Sequence, residues 1–211
     1  NLGKKLMNRF NLRENTQHQT YGIGLKELWE IKQDNSNPGE VTHSIGWPLD
    51  NETYGGSFLY HLEKNLVSFG FVIGLDYKNP YLSPYEEFQR FKTHPKIKHI
   101  FEGGRRISYG ARALNEGGFQ SLPKLSFPGG ALIGCDAGTL NTPKIKGTHT
   151  AMKSGIIASD LVFNELSLNK ENTEISEFQN VFLESWAGKE LKNARNVRPS
   201  FKYGLKIGMI L

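Results

Sequence analysis

Apolar and polar positions alternate in part along "QTYGIGLKELWEI", residues 19 to 31, a period of two that predicts a strand. The Asn-, Pro- and Gly-rich turn "DNSNPGE" follows, then "VTHSIGWPL", a second strand stopped near Pro48. Past the loop "DNETYGG", the stretches "SFLYHLE" and "LVSFGFVIGLD" are dense in aromatic and branched residues and read as two more strands. Four strands in tandem with short connections predict an antiparallel sheet. In "SPYEEFQRF" the period lengthens. Ser83 is placed to cap a helix, with Pro84 at its first position, Glu86 three residues past the cap and an apolar stripe at Tyr85, Phe88 and Phe91. Pro95 is expected to end that helix. Residues 100 to 133 return to short strands, "RRISYGARALNEGG" and "LSFPGGALIGCD", broken by glycine pairs. Met152, Ile156, Ile157, Leu161 and Phe163 predict a helix from Thr148 to about Leu166, and residues 176 to 195 another, with polar "NKENTEIS" between them. The opening "NLGKKLMNRFNL" reads as an amphipathic helix carrying Leu2, Leu6 and Phe10.

A length of 211 residues suits one large domain or two small ones. The net charge of +5 is mildly basic; an anionic membrane, an acidic partner or nucleic acid could use it, as could plain solvation. The single cysteine, Cys135, excludes a disulfide within the chain and a four-cysteine cluster. The six histidines are scattered without HExxH or C-x-x-C, so no metal site is expected. The start lacks the apolar core and cleavage site of a signal peptide, and no run of about 20 apolar residues spans a bilayer.

Three stretches carry candidate chemistry. "GCDAGTLNTPKIKGTHTAMKSG", 134 to 155, runs from an apparent buried strand ending in Asp136 to a helix start at Gly147 and Thr148. Free N–H groups and the helix dipole there suit a phosphate or the negative edge of a reduced flavin; an ordinary strand–loop–helix connection with Thr148 as cap reads equally from the residues. "TYGGSFLYHLE" places the backbone of Tyr54, Gly55 and Gly56 beside apolar walls, as quinone oxygens require, or forms a Gly-Gly hairpin turn. In "SEFQNVFLESWAGKELKNARNVR" the face of Phe178, Phe182 and Trp186 with late basic residues fits a helix in a membrane interface or one packed on the core. "GIGLKE" lacks the third glycine of a dinucleotide turn, and no Walker motif follows "GGRR".

Taken in order, "TYGIGLKELW", "GWPLDNETYGGSFLYHL", "GFVIGLDYKNPYLSPYEEFQRFKTHP", "GARALNEGGFQSLPKLSFPGG" and "NTPKIKGTHTAMKSGI" resemble the electron transfer flavoprotein–ubiquinone oxidoreductase family through almost the whole chain. The resemblance implies an α+β fold: an antiparallel sheet of a quinone-binding domain plus part of an FAD-binding domain of the glutathione-reductase/hydroxybenzoate-hydroxylase kind. It implies a ubiquinone-binding domain over 1–100, the C-terminal part of the FAD domain over 101–170, and a membrane-associated helix and the start of a further segment over 171–211. The implied activity is that of an electron-transferring-flavoprotein dehydrogenase, passing electrons from reduced electron transfer flavoprotein through FAD and a [4Fe–4S] cluster to ubiquinone at the inner membrane, either the bacterial cytoplasmic or the mitochondrial inner membrane, as a peripheral, monotopic protein that binds no nucleic acid. Gly134, Asp136, Gly147, Thr148 and Thr150 are the implied FAD contacts, Tyr54, Gly55 and Gly56 the ubiquinone contacts, and Phe178, Phe182 and Trp186 the membrane contacts. No side chain is assigned as catalytic acid or base. The family's N-terminal FAD fingerprint and four cluster cysteines are missing here, the chain stops at "KYGLKIGMIL" where the family continues, and Asp136 stands where some relatives carry serine. An internal fragment, inactive by itself, is expected. The alternatives are a geranylgeranyl-reductase-like FAD oxidoreductase and a non-catalytic membrane-surface or quinone-binding module.

Overall fold

The computed structural model describes residues 2–208 and 210. The chain opens with α1 (Leu2–Arg9) and forms the four tandem strands β1 (Tyr21–Glu30), β2 (Val41–Ile45), β3 (Gly55–His61) and β4 (Leu66–Gly74). Helices α2 (Pro84–Phe91) and α3 (Pro95–Phe101) precede a fifth strand, β5 (Arg105–Asn115). A hairpin of β6 (Ser126–Phe127) and β7 (Gly130–Ala131) leads to α4 (Gly134–Ala137), α5 (Thr148–Ser167), α6 (Phe178–Glu184), α7 (Trp186–Asn193), α8 (Val197–Ser200) and α9 (Leu205–Gly208). Two compact units share these elements: Tyr21–Leu114 with Phe201–Ile210, and the residues up to Thr20 with Asn115–Ser200. The cut falls after Leu114 rather than at residue 100, because β5 bonds to β1 and completes the sheet in the order β2-β3-β4-β1-β5.

In the sheet unit, β1 and β3 both pair antiparallel with β4, and β2 with β3. Alternation sends Val67, Phe69, Phe71 and Ile73 to one face, where they are buried with Leu59 against Phe88 and Phe91 of α2 and Phe101 of α3. Phe69 lies 5.1, 5.6 and 5.0 Å from the Phe88, Phe91 and Phe101 rings. The α2 start forms as the sequence predicts: Ser83 Oγ accepts from Glu86 N at 3.4 Å with Pro84 in the first turn. Pro95 does not end this helix. It opens α3 behind a His94 cap, because a proline at the first helical position loses no intrahelical bond.

In the other unit, Leu6 of α1 and Phe10 just past its end pack against a core of Leu12, Leu125, Phe127, Ile157, Phe178, Phe182 and Leu191. "ALIGCD" is not a strand. β7 lasts two residues, Gly134 turns the chain at φ 56°, and Asp136 falls in the first turn of the short α4. The single helix expected over 176 to 195 is two, because Ser185 leaves the helix and caps α7, its Oγ accepting from Gly188 N at 3.3 Å. Phe178 and Phe182 are 0% exposed. The expected membrane contact through those two rings is therefore corrected: their helical spacing reflects core packing, and of the three aromatics only Trp186 is exposed. Among the described residues, no helix is long and apolar enough to cross a membrane.

Candidate functional site

The sheet's second face is turned away from α2 and α3, and Gly24 and Gly56 lower its floor on either side of Val72. Register places Gly56, Val72 and Gly24 in one row across β3, β4 and β1, and Phe58, Gly70 and Lys26 in the next. Phe58 lies over Gly70, where a side-chain carbon would collide with its ring. At the β1–β5 end a shallow cavity of about 370 Å³ opens, lined by Gly24, Lys26, Leu28, Tyr109, Gly110 and Arg112 among others. That is within the size range of small-molecule sites, and the flat floor suits a planar ring.

Tyr54 ends the loop before β3, its ring edge-on to Phe201 at 5.0 Å. Asp50 Oδ1 folds that loop, accepting from Glu52 N and Thr53 N at 3.0 and 2.8 Å. Gly55 and Gly56 make no hairpin turn. They begin β3, opposite Ile73 and Val72, and Gly56 also pairs with Ile45. Glycine is required at both positions by close approach: a side-chain carbon at Gly55 would meet Leu49 and Val72 O, and one at Gly56 would meet Ser44 O. Alternation turns Gly56 to the free face and Gly55 to the helix side.

In the second unit, Gly147 precedes α5 and no side chain caps this end, so the first-turn N–H groups have no intrahelical acceptor. Thr148 and Asp136 are exposed, whereas Thr150 is fully buried. The Thr150 hydroxyl is committed inward, bonded to Thr139 O at 2.6 Å and Gly147 O at 2.9 Å. It fixes the turn instead of reaching outward. Gly134 N donates to Ser154 Oγ at 3.0 Å, tying α4 to α5. This donor set, with the positive end of a 20-residue helix behind it, fits the electron-rich pyrimidine edge of a flavin.

Behind the helix start lies a cluster the sequence did not disclose. Glu190 of α7 accepts from Asn141 Nδ2 and His149 Nε2 at 2.7 Å each, and from Lys144 Nζ at 2.6 Å. The hydrogen bonds from Lys144 and His149, with that from Asn141, hold its carboxyl down to about 2 against the opposing effect of burial. His149 also stacks on Trp186, with ring planes 11° apart. Glu190 lies 41 residues beyond His149 in the chain, and no local spacing signals the pair.

The family described as ETF-QO, ubiquinone-binding, matches residues 21–114, nearly the sheet unit. The mitochondrial electron transfer flavoprotein-ubiquinone oxidoreductase of Homo sapiens is 59% identical over 206 residues, 94% of this chain and 33% of the relative. That of Arabidopsis thaliana is 55% identical over 212 residues, all of this chain and again 33% of the relative. The chain thus spans a third of the length of these curated relatives. Among solved structures, a geranylgeranyl bacteriochlorophyll reductase-like protein from Thermoplasma acidophilum aligns with a TM-score of 0.64 over 87% of this chain and 47% of its own. A flavoprotein/dehydrogenase from Cytophaga hutchinsonii aligns with a TM-score of 0.51 over 95% and 45%. At 12% and 15% identity these share the fold alone, an α+β architecture. Over nearly its whole length this chain is thus similar to one third of the electron transfer flavoprotein–ubiquinone oxidoreductases, and its sheet unit matches the ubiquinone-binding region of that family.

Proposed function

We propose that the chain works in FAD-dependent transfer of electrons from reduced electron transfer flavoprotein to ubiquinone. The observation that supports this most is the glycine-floored free face of the sheet, which lies inside the stretch matching the ubiquinone-binding family. The row Gly56–Val72–Gly24 gives a quinone ring a flat, apolar seat, and Lys26 and Arg112 in the adjoining cavity wall can donate to its oxygens. Bound FAD would supply the electrons, two of which, with two protons, convert ubiquinone to ubiquinol. In the other unit, the backbone N–H groups at Thr148 favour negative charge on the flavin, while Gly147 and the buried Thr150 shape the turn that presents them. Gly134 allows the sharp turn into α4, and the Asp136 carboxylate can accept from a ribityl hydroxyl. A four-cysteine cluster has no ligand set in this chain, whose one cysteine is Cys135, so no step is assigned to these residues through it.

Peripheral attachment to the inner membrane, where we place the protein, calls for a different contact from the buried Phe178 and Phe182. In the sheet unit, Leu205 N donates to Asn51 O at 3.0 Å, holding the start of α9 on the loop before β3. Exposed Trp47, Tyr203, Ile207 and Ile210, with Lys202 and Lys206, give that region the aromatic, apolar and basic mix of an interfacial contact.

Val72→Phe tests the quinone seat. Val72 is flanked by glycines on both neighbouring strands, so a larger ring fits the sheet yet occupies the floor. In the FAD-loaded protein, KM for a short-chain ubiquinone is expected to rise about tenfold or more, the scale of an altered apolar pocket. Electron uptake from the partner flavoprotein should be unchanged. Wild-type quinone kinetics in a folded Val72→Phe protein would remove this face from consideration.

A further inference from the structure

We propose that Glu190 is a positioning residue for the flavin: by clamping His149 and the 141–144 turn to α7, it sets the direction of the first-turn N–H groups of α5. This rests on the reading that the start of α5 faces the flavin. The clamp has a rigid base. Ala187 and Leu191 anchor α7 in the core, and Gly188 is packed so closely on the end of α6 that a side-chain carbon would collide with Leu183 and Phe182 O. From that base, one carboxylate reaches two elements. Oε1 accepts from both Asn141 Nδ2 and His149 Nε2, and Oε2 accepts from Lys144 Nζ. Asn141 passes the restraint along the turn, its Oδ1 accepting from Lys144 N at 3.2 Å and its own N donating to Lys146 O at 3.0 Å. His149 is the second residue of α5, so its ring, held between Glu190 and Trp186, fixes the first turn from outside. Thr150, bonded to Thr139 O and Gly147 O, fixes it from inside. With both restraints present, the N–H groups are aimed before any ligand arrives, which is what preorganised electrostatic stabilisation requires.

Charge and position separate cleanly by substitution. Glu190→Gln removes a negative charge near the flavin, which by itself raises the midpoint potential. Glu190→Asp keeps the charge but is shorter by one carbon–carbon bond, about 1.5 Å, and cannot span all three donors. In the FAD-loaded protein, Glu190→Asp is expected to lower the flavin midpoint potential by the equivalent of a threefold to tenfold loss in preference for the reduced form, tenfold being about 30 mV for a two-electron couple. In the apoprotein, amide hydrogen exchange over residues 141 to 151 should quicken. An unchanged potential in Glu190→Asp overturns the proposal, whether the variant merely melts earlier or Glu190→Gln alone moves the potential. Thr148→Pro, which deletes one donor at a position where proline is tolerated, is the companion variant. If it lowers the potential while Glu190→Asp does not, the positioning role fails and the flavin reading stands. If neither moves, both fail.

Discussion

Phe182→Ala is expected to destabilise the unit built on α5, α6 and α7 by about 3–5 kcal/mol, the range for deleting a buried phenyl ring. The ring is fully buried among Leu125, Ile157, Phe178 and Leu191, and none of these can collapse into the space without breaking its own contacts. Phe178→Ala should behave alike. Trp186→Ala, two residues past the end of α6, should cost far less, about 1 kcal/mol, since the half-exposed indole gives up its stacking on His149 and no place in the core. Urea unfolding followed by circular dichroism reads the difference. A membrane helix gives the opposite pattern: near-normal stability for both phenylalanine variants and lost liposome binding. Loss of liposome sedimentation is expected instead from Trp47→Ser with Ile207→Ser, both exposed in the sheet unit.

Glu27→Gln should be as damaging in the sheet unit, at about 3–5 kcal/mol, because it strands a charge beside the core. Glu27 points to the helix side of β1 and is 2% exposed. Its carboxylate accepts from Lys92 Nζ at 3.0 and 2.8 Å, Arg106 Nη1 at 3.0 Å and Trp29 Nε1 at 2.7 Å, joining β1, the end of α2 and β5. Burial alone would raise its pKa, but the bonds from Lys92, Trp29 and Arg106 outweigh it and hold the carboxyl below the ordinary 4.5. A lowered folded-state value means the contribution is fully present above the unfolded value and is lost as pH falls through the folded one. Wild type should therefore lose stability on acidification below about pH 4.5 more steeply than Glu27→Gln, which has no proton to take up there. Replacing Glu27 and Lys92 together by methionine should recover most of the loss, because the buried cation leaves with the carboxylate while Arg106, whose side chain is 40% exposed, can turn to water. If Glu27→Gln alone costs under about 1 kcal/mol, the pair is a solvated surface bridge and its connection of three elements is decorative.

The period-two runs and the Ser83–Pro84–Glu86 signal made the first four strands and α2 readable, because each depends on neighbours in sequence. α3 is equally local, yet Pro95 reads both as a stop and as a first-turn residue, and the apolar spacing of Ile97, Ile100 and Phe101 decides for the second. The branched residues of "ALIGCD" suggested a strand, but Gly134 at positive φ redirects the backbone. For residues 176 to 195, helical spacing placed the buried Phe178 and Phe182 on one face but added the exposed Trp186 to it, and left the partner of that face open. A core and a bilayer ask the same periodicity of a helix, so only tertiary packing distinguishes them. Gly55 and Gly56 show a related limit. The pair signals close approach, and in the fold the atoms that approach are Leu49, Val72 O and Ser44 O, with Gly56 alone turned to the free face. The Glu190 clamp and the Glu27 network join residues tens of positions apart, where no short-range pattern exists.

The central claim is that ubiquinone lies on the free face of the sheet. Methyl-labelled protein titrated with a water-soluble ubiquinone analogue reads this face by face. Val72 and Leu28 carry methyl groups on the free side, Val67, Ile73 and Leu59 on the helix side. The account predicts saturable shifts of the Val72 and Leu28 methyl signals, with those of Val67, Ile73 and Leu59 nearly still. Shifts confined to the helix-side methyls, or none on either side at saturating analogue, would contradict it.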